Sequence, residues 1–107
     1  MKGIYWQKGD TLDYTPKEAV EYGQVVDLTT RIGVAASDIA AGEQGQLHMT
    51  GVFQMDKDGS EIALGAALYY DKSGDQITTT AEGHTPAGYA AAPAAAGTGT
   101  VLVKLLG

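Results

Sequence analysis

Gln46-Leu47-His48-Met49-Thr50-Gly51-Val52-Phe53-Gln54-Met55 is the stretch whose reading decides the fold. Leu47, Met49, Phe53 and Met55 share one parity, and Gln46, His48, Thr50 and Gln54 share the other. That is the period-2 alternation of a strand with one buried face. Gly51 interrupts the run, as glycine does at a bulge or bend. Gln24-Val25-Val26-Asp27-Leu28, Ala67-Leu68-Tyr69-Tyr70, Gln76-Ile77-Thr78-Thr79-Thr80 and Thr100-Val101-Leu102-Val103-Lys104-Leu105 are further runs rich in β-branched or aromatic residues, as is the shorter Thr11 to Tyr14. Asp56-Lys57-Asp58-Gly59 and Asp71-Lys72-Ser73-Gly74-Asp75 read as compact turns, and the second joins Tyr69-Tyr70 to Gln76-Ile77 as a hairpin. The expected core is Leu47, Met49, Phe53, Leu68, Ile77, Val101, Val103 and Leu105. Phe53→Ala is then expected to cost about 3–5 kcal/mol, as buried Phe truncations do.

One short helix is predicted. Thr15-Pro16-Lys17-Glu18 supplies a capping residue, a proline at the first helical position and a Glu three residues after the cap, and Gly23 closes the segment. A further helical turn is weakly signalled from Ser60 to Leu64. The fold class expected is therefore all-β: a small single-domain β-barrel or sandwich of short strands with at most one short helix. Residues 1–8 read as an N-terminal arm, bounded by Gly9-Asp10, and residues 9–107 as a single β domain.

The chain has 107 residues, enough for one core, with hydrophobic residues at 44% and charged residues at 19%. It has no Cys, which excludes a disulfide framework, a thiolate metal site and a Cys nucleophile. The net charge of −6 and the scatter of seven Lys and Arg residues argue against nucleic acid as a partner. No run of apolar residues approaches a membrane span, and Ile4-Tyr5-Trp6 is too short for a signal-peptide core; a soluble protein with no membrane partner is expected.

An internal echo joins the two halves. Residues 33–51, GVAASDIAAGEQGQLHMTG, align without gaps on residues 88–106, GYAAAPAAAGTGTVLVKLL, matching at Gly33/88, Ala35/90, Ala36/91, Ala40/95, Ala41/96, Gly42/97 and Leu47/102. Alanine composition alone accounts for many of these matches. Both copies nonetheless follow one plan: a Gly-started strand end, an Ala-rich connection, a Gly turn, then a strand. Either a chance of composition or two strand-loop-strand units sharing one core explains them.

No residue set points to catalysis, and no cofactor or metal is expected. Asp56-Lys57-Asp58-Gly59-Ser60-Glu61 lacks both the Gly and the bidentate Glu that a calcium loop needs, so it reads as a solvated hairpin turn. His48 and His84 have no partner ligand at helical or hairpin spacing and read as surface residues. No Ser has a nucleophile-elbow context, and Gly42-Glu43-Gln44-Gly45 and Gly97-Thr98-Gly99 lack the Lys and following helix of a phosphate loop. Tyr69, Tyr70 and Asp71 with Tyr89 leave open a carbohydrate-binding or adhesin-type β-module. The terminal arm carries Tyr5 and Trp6 between Lys2 and Lys8. Either Trp6 plugs one end of the core, or Tyr5, Trp6 and Lys8 anchor the protein on a partner, since Trp and Tyr dominate interface hot spots.

An ordered series of short motifs runs along the whole chain: Tyr22-Gly23-Gln24-Val25-Val26, Ile32-Gly33-Val34-Ala35, Asp38-Ile39-Ala40-Ala41-Gly42-Glu43, Gly51-Val52-Phe53, Gly65-Ala66-Ala67-Leu68-Tyr69-Tyr70-Asp71, Thr78-Thr79-Thr80, Gly88-Tyr89-Ala90 and Val101-Leu102-Val103-Lys104-Leu105. This series resembles the small capsid decoration, or cement, proteins of tailed bacteriophages and prophages. The resemblance implies a protein without enzymatic activity, made in the host cytoplasm and placed on the outer capsid surface of the virion. It implies a major capsid protein as partner, self-association as a homo-trimer at threefold or quasi-threefold axes, and stabilisation of the expanded shell. The arm residues Tyr5, Trp6 and Lys8 are then the expected capsid contacts.

Overall fold

A computed structural model describes residues 1–107. Nine strands form: β1 (Thr11–Tyr14), β2 (Val25–Asp27), β3 (Ile32–Ala35), β4 (Gly45–His48), β5 (Val52–Asp56), β6 (Ala67–Asp71), β7 (Gln76–Thr78), β8 (Thr85–Ala90) and β9 (Thr100–Leu105). They make two antiparallel sheets, ordered β1-β4-β3-β2 and β5-β9-β8-β6-β7. The architecture is an open two-sheet sandwich and not a closed barrel. The alternation around Gly51 holds on both sides of it, but the run is two strands in two sheets, because Gly51 adopts φ +110°, a turn that a Cβ would strain.

No helix forms at Thr15–Gly23, contrary to the capping signal. Val20 instead exchanges two backbone hydrogen bonds of 2.9 Å with Ile39, and the Pro16 carbonyl accepts the Gly42 N–H at 2.8 Å. A two-turn helix is marginal by itself. The extended alternative satisfies the backbone and buries Val20 beside Ile39 and Leu47. The same happens at Ser60–Leu64, where Ile62 and Ala94 exchange bonds of 2.8 Å. Asp56-Lys57-Asp58-Gly59 is likewise no hairpin turn: Lys57 donates its N–H to Gly99 and Asp58 to Ile77, so the segment crosses between strands.

The echo is a structural repeat, but its register shifts by one residue in the last strand, so that Leu47 corresponds to Val103 and not to the aligned Leu102. In the first half, Val25, Val26 of β2 face Val34, Gly33 of β3, which in turn runs beside β4 with Ala35 opposite Leu47. In the second half, Ala67, Leu68 of β6 face Tyr89, Gly88 of β8, with Ala90 opposite Val103 of β9. β1 on β4 matches β5 on β9: Leu12 opposite Leu47 corresponds to Phe53 opposite Val103. The bridges Val20/Ile39 and Ile62/Ala94 occupy equivalent places, as do the turn glycines Gly23 and Gly65, both at φ +81°. β7 is the addition of the second half, hairpinned onto β6 as the turn sequence predicts. β8 escapes sequence reading because Pro86 and Gly88 lie within it. The pairing steps from Leu68/Gly88 to Tyr69/Pro86, so Ala87 is the extra residue of a bulge.

Each half covers one face of its sheet with its own connection. Val20 and Ile39 close over Val26, Ala35, Leu47 and Met49 in the smaller cluster. Ile62 and Ala94 belong with Leu68, Ala90, Val103 and Leu105 in the larger one. The other face of the first sheet, carrying Ile32, Val34 and Val25, packs onto Met55, Tyr70 and Ile77 of the second half. All the expected core residues are buried except Phe53, which is half-buried against His48, with ring centroids 5.7 Å apart.

Two substitutions test this packing. A Cβ on Gly88, at φ +151°, would meet the Lys104 carbonyl oxygen at 1.8 Å, a backbone atom that cannot rotate away. Gly88→Ala is therefore expected to cost at least about 3 kcal/mol in urea melts, at the severe end for point mutations. Phe53→Ala, now known to be half-buried, should cost only about 2 kcal/mol, below the range for a fully buried ring.

Candidate functional site

The N-terminal residues 1–9 form no strand and lie against no core cluster. Tyr5 is 81% exposed and Trp6 89% exposed, with Ile4 equally bare beside them, and Lys2 and Lys8 are exposed on either side. Trp6 therefore does not plug the core. Tyr14, nearest of the other aromatics in sequence, is separated from this arm and packs half-buried against the smaller cluster. The arm is apolar and basic, while all thirteen Asp and Glu residues lie beyond it. Such a segment gains most from a partner surface that covers the rings and meets the lysines with acid.

A groove of about 420 Å³ opens between the two halves, lined by Val25, Val34 and His48 from the first and Phe53, Tyr70 and Ile77 from the second. His48 is thus no free surface residue; it is a half-buried member of the row Val25, Val34, His48, Thr11 across four strands. Tyr70 donates its hydroxyl proton to Asp75 Oδ1 at 2.6 Å. Burial, that bond and the charges of Asp75, Asp27 and Asp71 push the phenol well above its ordinary value. Tyr70 stays protonated and fixed, which suits a strut and not a nucleophile. Because Tyr70 points inward, Tyr69, Tyr70, Asp71 and Tyr89 do not share one exposed platform of the kind a sugar stacks on.

The remaining polar clusters are structural. Asp58 accepts hydrogen bonds from the Ser60 hydroxyl and the Ser60 N–H, the latter at 3.1 Å, which hold its carboxyl below the usual range against the opposing effect of burial. The buried Lys57 ammonium donates to the carbonyls of Asp58 at 2.9 Å and Ser60 at 2.7 Å. These bonds tie down the crossing segment that the sequence offered as a calcium-loop lookalike. His84 sits 3.8 Å from Asp71 and reaches the Thr80 carbonyl through Nδ1 at 2.8 Å. Sequence reading missed one surface: the outer face of the second sheet, where Val52, Tyr89 and Leu102 are exposed. Its signal was the unbroken apolar run Val101-Leu102-Val103, which places hydrophobes on both faces of one strand.

These features define a small all-β protein with an exposed aromatic arm and exposed apolar residues on one sheet face. A family model described as phage cement protein matches residues 6–105, nearly the whole chain. The chain belongs to the phage cement protein family, a family of structural proteins that decorate and stabilise the capsid exterior and not a family of enzymes. No curated protein and no solved structure matches it.

Tyr70 yields a pH prediction. Its folded value lies above the ordinary 10.0, so the stability it contributes is complete below pH 10 and is lost progressively as pH rises above it. Tyr70→Phe should lower stability by about 1 kcal/mol at neutral pH through loss of the bond to Asp75. The variant's melting temperature should then fall less steeply than that of the wild type between pH 9.5 and 11, two values of about the phenol's ordinary range.

Proposed function

We propose that this protein binds the outside of the expanded capsid as homo-trimers at threefold or quasi-threefold axes, contacts the major capsid protein through Tyr5, Trp6 and Lys8, and so stabilises the mature shell. The observation that carries the site is the fully exposed pair of aromatics on an arm outside the β body. Large rings left in water are poor surface residues and effective anchors once a partner covers them. Residues 1–8 act as the arm and residues 9–107 as the single domain that carries it.

The energetics are those of linkage. A ligand that binds the expanded lattice and not its precursor stabilises the expanded state by RT ln(1 + [L]/Kd) at each site. Three arms on one trimer raise the effective concentration of each arm on the shell after the first has bound. The acidic body and basic arm give the molecule an orientation for approach, arm first toward an acidic surface.

Cosedimentation with expanded and unexpanded shells of its own phage tests the reading. The wild type is expected to pellet with expanded shells only. Deletion of residues 1–8 should leave the melting temperature nearly unchanged, because the arm touches no core cluster. The deletion should also raise the dissociation rate from expanded shells at least about tenfold, equivalent to roughly 1.4 kcal/mol. Equal binding to both shells, or release unaltered by the deletion, would contradict it.

A further inference from the structure

The two halves are equivalent in fold, yet they are not equivalent in what covers them. In the first sheet, Val25, Val34, His48 and Thr11 lie in one row across four strands, and Val25, Val34 and His48 of this row pack onto the second half. Its counterpart in the second sheet is the row Ala67, Tyr89, Lys104, Val52. Nothing in the chain covers that row: Val52 is 52% exposed, Tyr89 46%, and Leu102 on the same face 40%. One half's buried face is the other half's bare face.

The receiving side shows the same imbalance. The first sheet rests on Phe53, Met55 and Tyr70 of the second half. By register, the counterparts of Phe53 and Met55 in the first half are Leu12 and Tyr14, and Leu28, one residue past β2, stands as far along the chain from Val25 as Tyr70 of β6 does from Ala67. Leu12 is 39% exposed, and Tyr14 and Leu28, whose inner sides pack on the smaller cluster, are half-buried with no sheet lying on them. The chain thus holds one closed contact of this kind inside itself and presents both halves of a second one, unpaired, at its two ends.

We infer that the outer face of the second sheet, centred on Val52, Tyr89 and Leu102, docks on the Leu12, Tyr14 and Leu28 surface of another copy of this chain. The contact continues between molecules the face-to-face stacking already present within one. It is heterologous: a patch meets a different patch and never itself. A heterologous contact whose rotation closes makes a ring, in which every copy uses both surfaces and none is left bare. The inference takes only the number of copies, three, from the homo-trimer proposed above; the surfaces follow from the repeat. It also assigns the arm and the assembly contact to different surfaces, leaving the arm free for the shell.

The test uses the full chain without shells. Wild type is expected to show, by light scattering up to millimolar concentration, a mass three times that of the 11.1 kDa chain. Leu12→Glu and Leu102→Glu each place a charge on one exposed side of the contact, so each should remain folded by circular dichroism and fall to the monomer mass. Mixing the two variants should restore one intact contact, between the unmodified second sheet of the first and the unmodified first sheet of the second. The product expected is a one-to-one dimer and nothing larger. A contact of either patch with itself would instead leave the variant that keeps that patch dimeric before mixing. A wild type that is monomeric throughout, a folded variant that assembles as wild type does, or a mixture that stays monomeric would overturn the inference. So would a Leu102→Glu protein that assembles normally and loses only shell binding, which would assign this face to the capsid. Shell cosedimentation is read separately, so failure of self-assembly and failure of capsid decoration are distinct results.

Discussion

Two reciprocal hydrogen bonds between Val20 and Ile39, repeated between Ile62 and Ala94, are the constraint on which the rest of the molecule depends. Strands of three to six residues make sheets too small to bury a face against anything but a close cover. In each half the cover is a connection pinned down by one such bridge, which places an apolar side chain over the sheet and satisfies the connection's own backbone. Loss of the bridge would expose both the sheet face and the peptide groups of the connection. The glycines at equivalent turns, Gly23 with Gly65 and Gly42 with Gly97, all take positive φ and bring the chain back to each bridge.

Much of this was legible in the sequence. The strands of the hairpin and the C-terminal strand follow from their β-branched runs and turns, and the echo at Gly33 and Gly88 marked two corresponding strands. The misread places share a cause. Thr15 to Gly23 has good local helix chemistry, but a long-range partner at Ile39 offers its backbone more than two turns of helix could. β8 has poor local strand chemistry, since Pro86 and Gly88 both oppose it, yet a bulge at Ala87 accommodates the proline and the close approach of Lys104 requires the glycine. Phe53 had the right parity and lies at the mouth of the groove, where alternation cannot reveal how far a ring is covered. In each case the deciding group is far away in sequence.

The sequence left Trp6 between a plug of the core and an exposed anchor, and the structure leaves both Tyr5 and Trp6 bare. The outer face of the second sheet was not legible at all, because its meaning lies in a comparison between the halves and not in either alone. A duplicated unit whose copies stack head to tail buries one copy's far face and bares the other's. In the function and contact proposed above, that asymmetry separates two tasks: the sheets would join one molecule to the next and the arm would reach the shell, each by area and fit.

An image reconstruction of expanded shells carrying the bound protein, at a resolution that shows side chains, would test the account most directly. The account predicts three copies around each occupied axis, Tyr5 and Trp6 covered by the major capsid protein, and the Val52, Tyr89 and Leu102 face of each copy seated on Leu12 and Tyr14 of the next. Arms that project into solvent, with the outer face of the second sheet bare or turned onto the shell, would contradict it.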